Sequence, residues 1–145
     1  MKFSKVTLLV LPLLLSGCSA TVHLDPAPAS NSVTCANLMV RLSDKVDGLN
    51  RRDTDAQATA VWGAPSGVIF RCGLPGVTVS TLRCVTEQNV DWLVDPSKAP
   101  VYRFITFGRN PASEVIIDSR KAVGVNVLDE IGSTIQWQKA TAHCS

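Results

Sequence analysis

Apolar positions along this chain fall into short blocks separated by turn-forming residues, and their period changes from block to block. Leu38, Met39, Leu42 and Val46 recur at helical spacing, which predicts a helix over 35–47, capped by Thr34 and ended by Gly48. The polar run 50–57 reads as a connecting loop, and residues 58–62 fit either a short strand or a helix end. A turn, Gly63-Ala64-Pro65-Ser66-Gly67, leads into alternating Val68, Phe70 and Cys72, a strand over 68–72. Two short strands follow over 84–86 and 90–94, joined near Gln88-Asn89, a hairpin-prone pair. The clearest strand is 101–107, where both alternating faces are largely apolar, as in a central strand. Gly108-Arg109-Asn110-Pro111 then reverses the chain into 114–118, so 101–118 is predicted to be an antiparallel hairpin. A second helix is predicted after Asn126 as its cap, with Asp129 at the reciprocal capping position and Leu128, Ile131 and Ile135 as its buried stripe. These elements predict an α+β fold, an antiparallel sheet of four to five strands with two helices packed on one face.

The N-terminus has a different pattern. Lys2 and Lys5 precede an apolar run over 6–15, too short for a bilayer span of roughly 20 residues but shaped like a secretory leader. The run ends in Leu15-Ser16-Gly17-Cys18, which reads as a bacterial lipobox. On this reading residues 1–17 are a signal peptide, and the Cys18 thiolate takes a diacylglycerol after cleavage. Two acyl chains then give stable membrane attachment. The competing reading is an ordinary leader cut after Ala20. Residues 18–34, rich in Ser, Ala, Pro and Asn, are expected to form a flexible tether, with His23 a solvated linker histidine and 35–145 a single domain. Loss of Lys2 and Lys5 brings the fourteen basic residues level with the twelve acidic ones. The mature chain is therefore neutral and carries no basic patch for nucleic acid.

With Cys18 committed to lipid, Cys35, Cys72, Cys84 and Cys144 remain. An even number in an exported domain predicts two disulfides, and no pair has the close spacing of a zinc knuckle. The favoured pairing is Cys72–Cys84, closing a short loop around Gly73-Leu74-Pro75-Gly76, with Cys35–Cys144 tying the two ends of the domain. Cys35–Cys72 with Cys84–Cys144 stays open as the alternative.

No set of catalytic residues emerges, and no metal or cofactor site is predicted. The only histidine of the domain, His143, sits at the C-terminus, and no metalloprotease, phosphate-loop or calcium-loop motif occurs. Arg71, Arg83, Arg103 and Arg109 cluster along the strand region, and any that face one side could hold an anionic envelope component by forked hydrogen bonds. Core packing is the default for Trp62, Trp92 and Trp137. The rival function is an envelope enzyme with Asp, Ser or Arg chemistry, which a deep pocket with Asp91, Ser66 and Arg109 converging would favour.

Several of these residues together resemble a known family. They are Trp62-Gly63-Ala64-Pro65, Arg71-Cys72-Gly73 with Pro75, Cys84, Val90-Asp91-Trp92 and Phe107-Gly108-Arg109-Asn110-Pro111. The pattern is similar to actinobacterial lipoproteins and secreted proteins grouped as domain of unknown function 3515, over roughly residues 35–138. Asn110 stands where an aspartate is common in that pattern. The resemblance implies an envelope protein on the outer face of the cytoplasmic membrane. It implies no activity, and the frequent neighbourhood of such proteins to cell-wall precursor enzymes points towards envelope maintenance. The expected role is a non-enzymatic, lipid-anchored module that binds an envelope protein or cell-wall component. Its expected contact surface is Asp91, Trp92, Arg109 and Asn110.

Overall fold

A computed structural model describes residues 20–144; the leader and Cys18 lie outside the described residues. The chain runs α1 (Val33–Met39), β1 (Lys45–Val46), β2 (Leu49–Arg52), β3 (Thr59–Trp62), β4 (Val68–Leu74), β5 (Arg83–Glu87), β6 (Val90–Asp95), β7 (Val101–Thr106), β8 (Ala112–Asp118) and α2 (Gly124–Ile135). All eight strands join one antiparallel sheet in the order β1-β2-β3-β4-β8-β7-β6-β5. The fold expected from sequence is corrected on this point: the sheet has eight strands, not four to five, and the molecule is mostly sheet with two short helices. The sheet consists of two meanders, β1–β4 and β5–β8, joined where β4 pairs with β8.

The extra strands come from the segment expected as the end of the first helix and the loop after it. The helix stops at Met39, with Ser32 rather than Thr34 capping it through a hydrogen bond from the Cys35 N–H. Asp47 and Gly48 both have positive φ, 47° and 75°, and Val46 pairs directly with Leu49. This is the two-residue turn that Asp-Gly favours, because its twist matches that of the flanking strands. Gly48 is thus the tip of a hairpin and not the end of a helix. Leu38, Leu42 and Val46 are nevertheless all buried, at 4%, 6% and 1% exposure.

Helix α2 reaches both edges of the sheet. It contacts both β1 and β5. Laid flat, those edges would stand about 34 Å apart at 4.8 Å per strand step. A twelve-residue helix is only about 18 Å long. The sheet must therefore curl around it. The two edge turns grip the helix. Asp47 accepts the Val123 N–H and the Asn126 side-chain amide, supplying from another element the cap expected from Asn126 itself. Asp129, expected as a capping residue, instead accepts from Gln88 in the β5–β6 turn. The main core joins Trp62, Val68, Phe70, Trp92, Val115 and Ile117 of the sheet to Leu128, Ile131 and Ile135 of α2.

The two disulfides are Cys35–Cys72 and Cys84–Cys144, with Cα atoms 5.6 and 6.2 Å apart. The favoured pairing is therefore overturned and the alternative is the one formed. The topology gives the reason. Three strands separate β4, which carries Cys72, from β5, which carries Cys84. Four strand steps of about 4.8 Å far exceed the reach of a disulfide.

The segment expected as a tether is partly packed against the sheet from its first described residues. Val22 forms a parallel bridge with Thr54, the Ala29 N–H donates to Gly73 O, and Ala27 is buried. Its low apolar content suggested a solvated linker, but backbone hydrogen bonds to the sheet do not depend on apolar side chains.

Candidate functional site

Strand alternation divides the residues of the central strands between two faces. Phe70, Val115 and Trp92 turn into the main core, while Arg71, Glu114, Arg103, Ile105, Leu93 and Asp91 share the other face. One half of this outer face is closed and the other is open.

The closed half holds Asp91 and Arg109, two of the four residues expected as a contact surface. Leu93, Ile105 and Ala112 form a second small core there, flanked by Val77, Cys84 and Phe107. The C-terminal tail lies across it. Asp91, 5% exposed, accepts from the Thr86 hydroxyl (2.6 Å), the Cys144 N–H (3.1 Å) and lies 3.1 Å from His143 Nδ1. Burial opposes ionisation of this carboxyl, but the hydrogen bonds outweigh it and hold its pKa below the usual value. Arg109, 3% exposed, donates from Nε to Gln138 O and from Nη2 to Asn89 O, joining the tail to the β5–β6 turn. Burial lowers its pKa and the Asp91 charge opposes that shift. Gly108 has φ +70° and packs against Ala142 so closely that any Cβ would clash with the tail backbone. Trp92 is fully buried, and of the four expected contact residues only Asn110 is exposed. Asp91, Trp92 and Arg109 therefore hold the scaffold together and do not present a surface.

Asp91 and His143 make a carboxylate–imidazole contact of the kind a catalytic triad contains. Among the described residues no serine hydroxyl hydrogen-bonds His143; Ser80, which lines a nearby cavity with it, accepts from the Leu82 N–H. Ser66 lies in the β3–β4 turn, where its carbonyl accepts from Lys121, and it makes no hydrogen bond with Asp91 or Arg109. The convergence that would favour the enzyme reading is not present.

The open half centres on Glu114, whose side chain is 1% exposed. Arg71, next to it across the β4–β8 pair, donates from Nε to Oε1 at 2.6 Å. Arg103 donates from Nε to Oε2. Arg71 and Arg103 are 31% and 37% exposed. A cavity of about 320 Å³ lies over them, lined also by Asp95, Ser97, Lys98, Val101 and Ile116. A second, of about 250 Å³, shares Arg71, Glu114 and Ile116 and reaches Ile69, Leu24, Asp25 and His23. Together they make one groove across the sheet. At its far end His23 is not a free linker histidine: its Nδ1 lies 2.5 Å from Asp55, whose hydrogen bond raises the His23 pKa.

The sequence cluster of four arginines thus separates. Arg71 and Arg103 converge, Arg109 is buried in the closed half, and Arg83 stands exposed on the opposite face of β5. Glu114 was legible only as one residue of a return strand. Its pairing across two strands with arginines 43 and 11 positions away is a matter of register.

The sequence profile of the family described as "Protein of unknown function (DUF3515)" matches residues 13–143. The chain belongs to this family. No curated protein and no solved structure matches it. The residues that carry the resemblance to DUF3515 are largely scaffold: Trp62, Cys72, Trp92 and Arg109 are all buried. The DUF3515 pattern therefore marks what holds the fold together.

Proposed function

We propose that this protein is an exported binding module of the cell envelope, held on the extracytoplasmic face of the membrane by lipid at Cys18, that takes an anionic ligand in the open groove. The export reading is supported by the leader and by two disulfides, which persist in oxidising compartments. The binding reading rests on one observation: a fully buried carboxylate, Glu114, fixes two partly exposed guanidinium groups at the floor of a groove.

Glu114 neutralises one of the two charges and orients both side chains. Among the described residues Arg103 makes no side-chain hydrogen bond beyond the one from Nε, and its side chain is 37% exposed. A carboxylate or phosphate accepts forked hydrogen bonds from such a group. Lys98 adds a third cation and Asp95 a second carboxylate that interacts with Arg103 and Lys98, while Ile69, Val101 and Ile116 provide apolar wall for the body of the ligand. An acidic cell-wall component fits this chemistry in that compartment. The groove offers charge and shape, and the reading includes no bond-making step.

Calorimetric titration with inorganic phosphate and, separately, acetate tests the groove. Arg103→Ala is expected to weaken binding at least about tenfold, while Arg83→Ala leaves it unchanged. Equal binding by both variants and the native chain contradicts the assignment. The anchor has its own test. Cys18→Ala is expected to leave an unprocessed precursor without lipid label, and unchanged labelling refutes it.

A further inference from the structure

The point at which the chain joins the sheet bears on how the domain sits. Ala20 O already accepts from Arg52 Nη2 at 2.9 Å, and Val22 is bridged to Thr54. Only Ser19 separates Ala20 from Cys18. Two residues reach at most about 7 Å.

We infer that the domain is not lifted off the membrane by a tether but is seated on lipid headgroups by one end of the sheet, the end carrying Arg52 and the Gly63–Gly67 turn. This rests on lipid at Cys18, as proposed above. Polar and charged side chains line that end. Arg52 donates to Gly63 O, Lys121 donates to Ser66 O, and Arg120 and Lys121 both pair with Asp118, whose N–H donates to Gly67 O. Two of these three cations are thus paired with Asp118, and Asp53 and Asp55 lie beside Val22 on the flank, so acidic and basic residues balance there.

The opposite end is defined as clearly. Strand β4 runs seven residues, about 20 Å, from Val68 to Leu74. At its far end Leu74 pairs with Ala112, and Gln138 donates to Pro111 O next to it. Trp137, 75% exposed, stands beside Gln138. Tryptophan is enriched at membrane–water interfaces, so the inference makes a sharp choice: Arg52 down, Trp137 away. It also places the His23 end of the groove next to the lipid surface.

Paramagnetic relaxation in nanodiscs of phosphatidylcholine and phosphatidylglycerol doped with a gadolinium-chelating lipid reads this directly. For the mature lipidated chain, amide signals of Arg52, Ser66 and Lys121 are expected to lose intensity several-fold more than those of Leu74, Ala112 and Gln138. Equal loss at both ends, or greater loss at Gln138, overturns the seating. Mass spectrometry of Cys18 separates the two readings. If the native chain carries no diacylglycerol, the anchor reading fails by itself. The seating is then measured on the mature chain coupled through Cys18 to a maleimide lipid, with the same deciding outcomes.

Discussion

The two halves of the outer sheet face use the same ingredients for different ends. Each contains a carboxylate almost wholly removed from solvent and an arginine from the strands or turns beside it. In the closed half the tail residues 138–144 lie over Asp91 and Arg109, and every contact is made within the chain. In the open half Arg71 also donates to Asp25 O, yet it and Arg103 stay about one-third exposed, and the sheet floor ends in a groove. The lesson is that a buried charge marks architecture when its partners are buried with it. It marks a candidate contact when it pins partly exposed partners in place.

The comparison breaks most readily at the tail. Replacing Cys84 and Cys144 together by serine removes a 60-residue closure, for which chain entropy gives about 4 kcal/mol. Urea denaturation is expected to show a loss near that size, and hydrogen exchange to show the Asp91 region opening while the Glu114 groove stays protected. A loss below about 1 kcal/mol contradicts the view that the tail holds the closed half. Next comes Arg109→Ala, which strands the Asn89 and Gln138 carbonyls and leaves a cavity. It is expected to cost about 3 kcal/mol with no effect on phosphate binding. Glu114→Gln is expected to cost less, about 1–2 kcal/mol, because its arginines are partly exposed and can rehydrate. Its effect on phosphate titration should nonetheless be clear, since the guanidinium groups lose their fixed position.

The smallest effect is confined to acid. Asp91 titrates lower in the folded chain than its unfolded value near 3.9. Its contribution is therefore fully present above that pH and is lost as pH falls through the folded value. Denaturation curves collected between neutral pH and pH 3 should converge for the native chain and Asp91→Asn as the pH drops. Curves that stay parallel show that Asp91 is not held as described.

Much of the sheet was legible because its strands alternate strongly. The 101–118 hairpin and the 84–94 pair both form, the latter through positive-φ Gln88 and Asn89. What stayed hidden depended on distant partners. Lys45–Val46 is too short to show a period, and its Asp47-Gly48 turn sits where the spacing of Leu38, Leu42 and Val46 suggests a continuing helix. The disulfide pairing followed strand order, which local pattern does not reveal. The expected contact residues drew notice because Trp92 and Arg109 stand in recognisable motifs, yet those motifs serve packing. The groove needed the register of β4, β8 and β7, which sets Arg71, Glu114 and Arg103 on one face.

The central claim is that the open half, and not the closed half, meets ligand. Nitrogen-15 NMR of the arginine Nε–Hε groups during titration with inorganic phosphate tests it residue by residue. The Arg103 signal is expected to move with saturation, Arg71 to move with it, and Arg109 to stay fixed. Movement of Arg109, or no movement at Arg103 while phosphate binds elsewhere, contradicts the account.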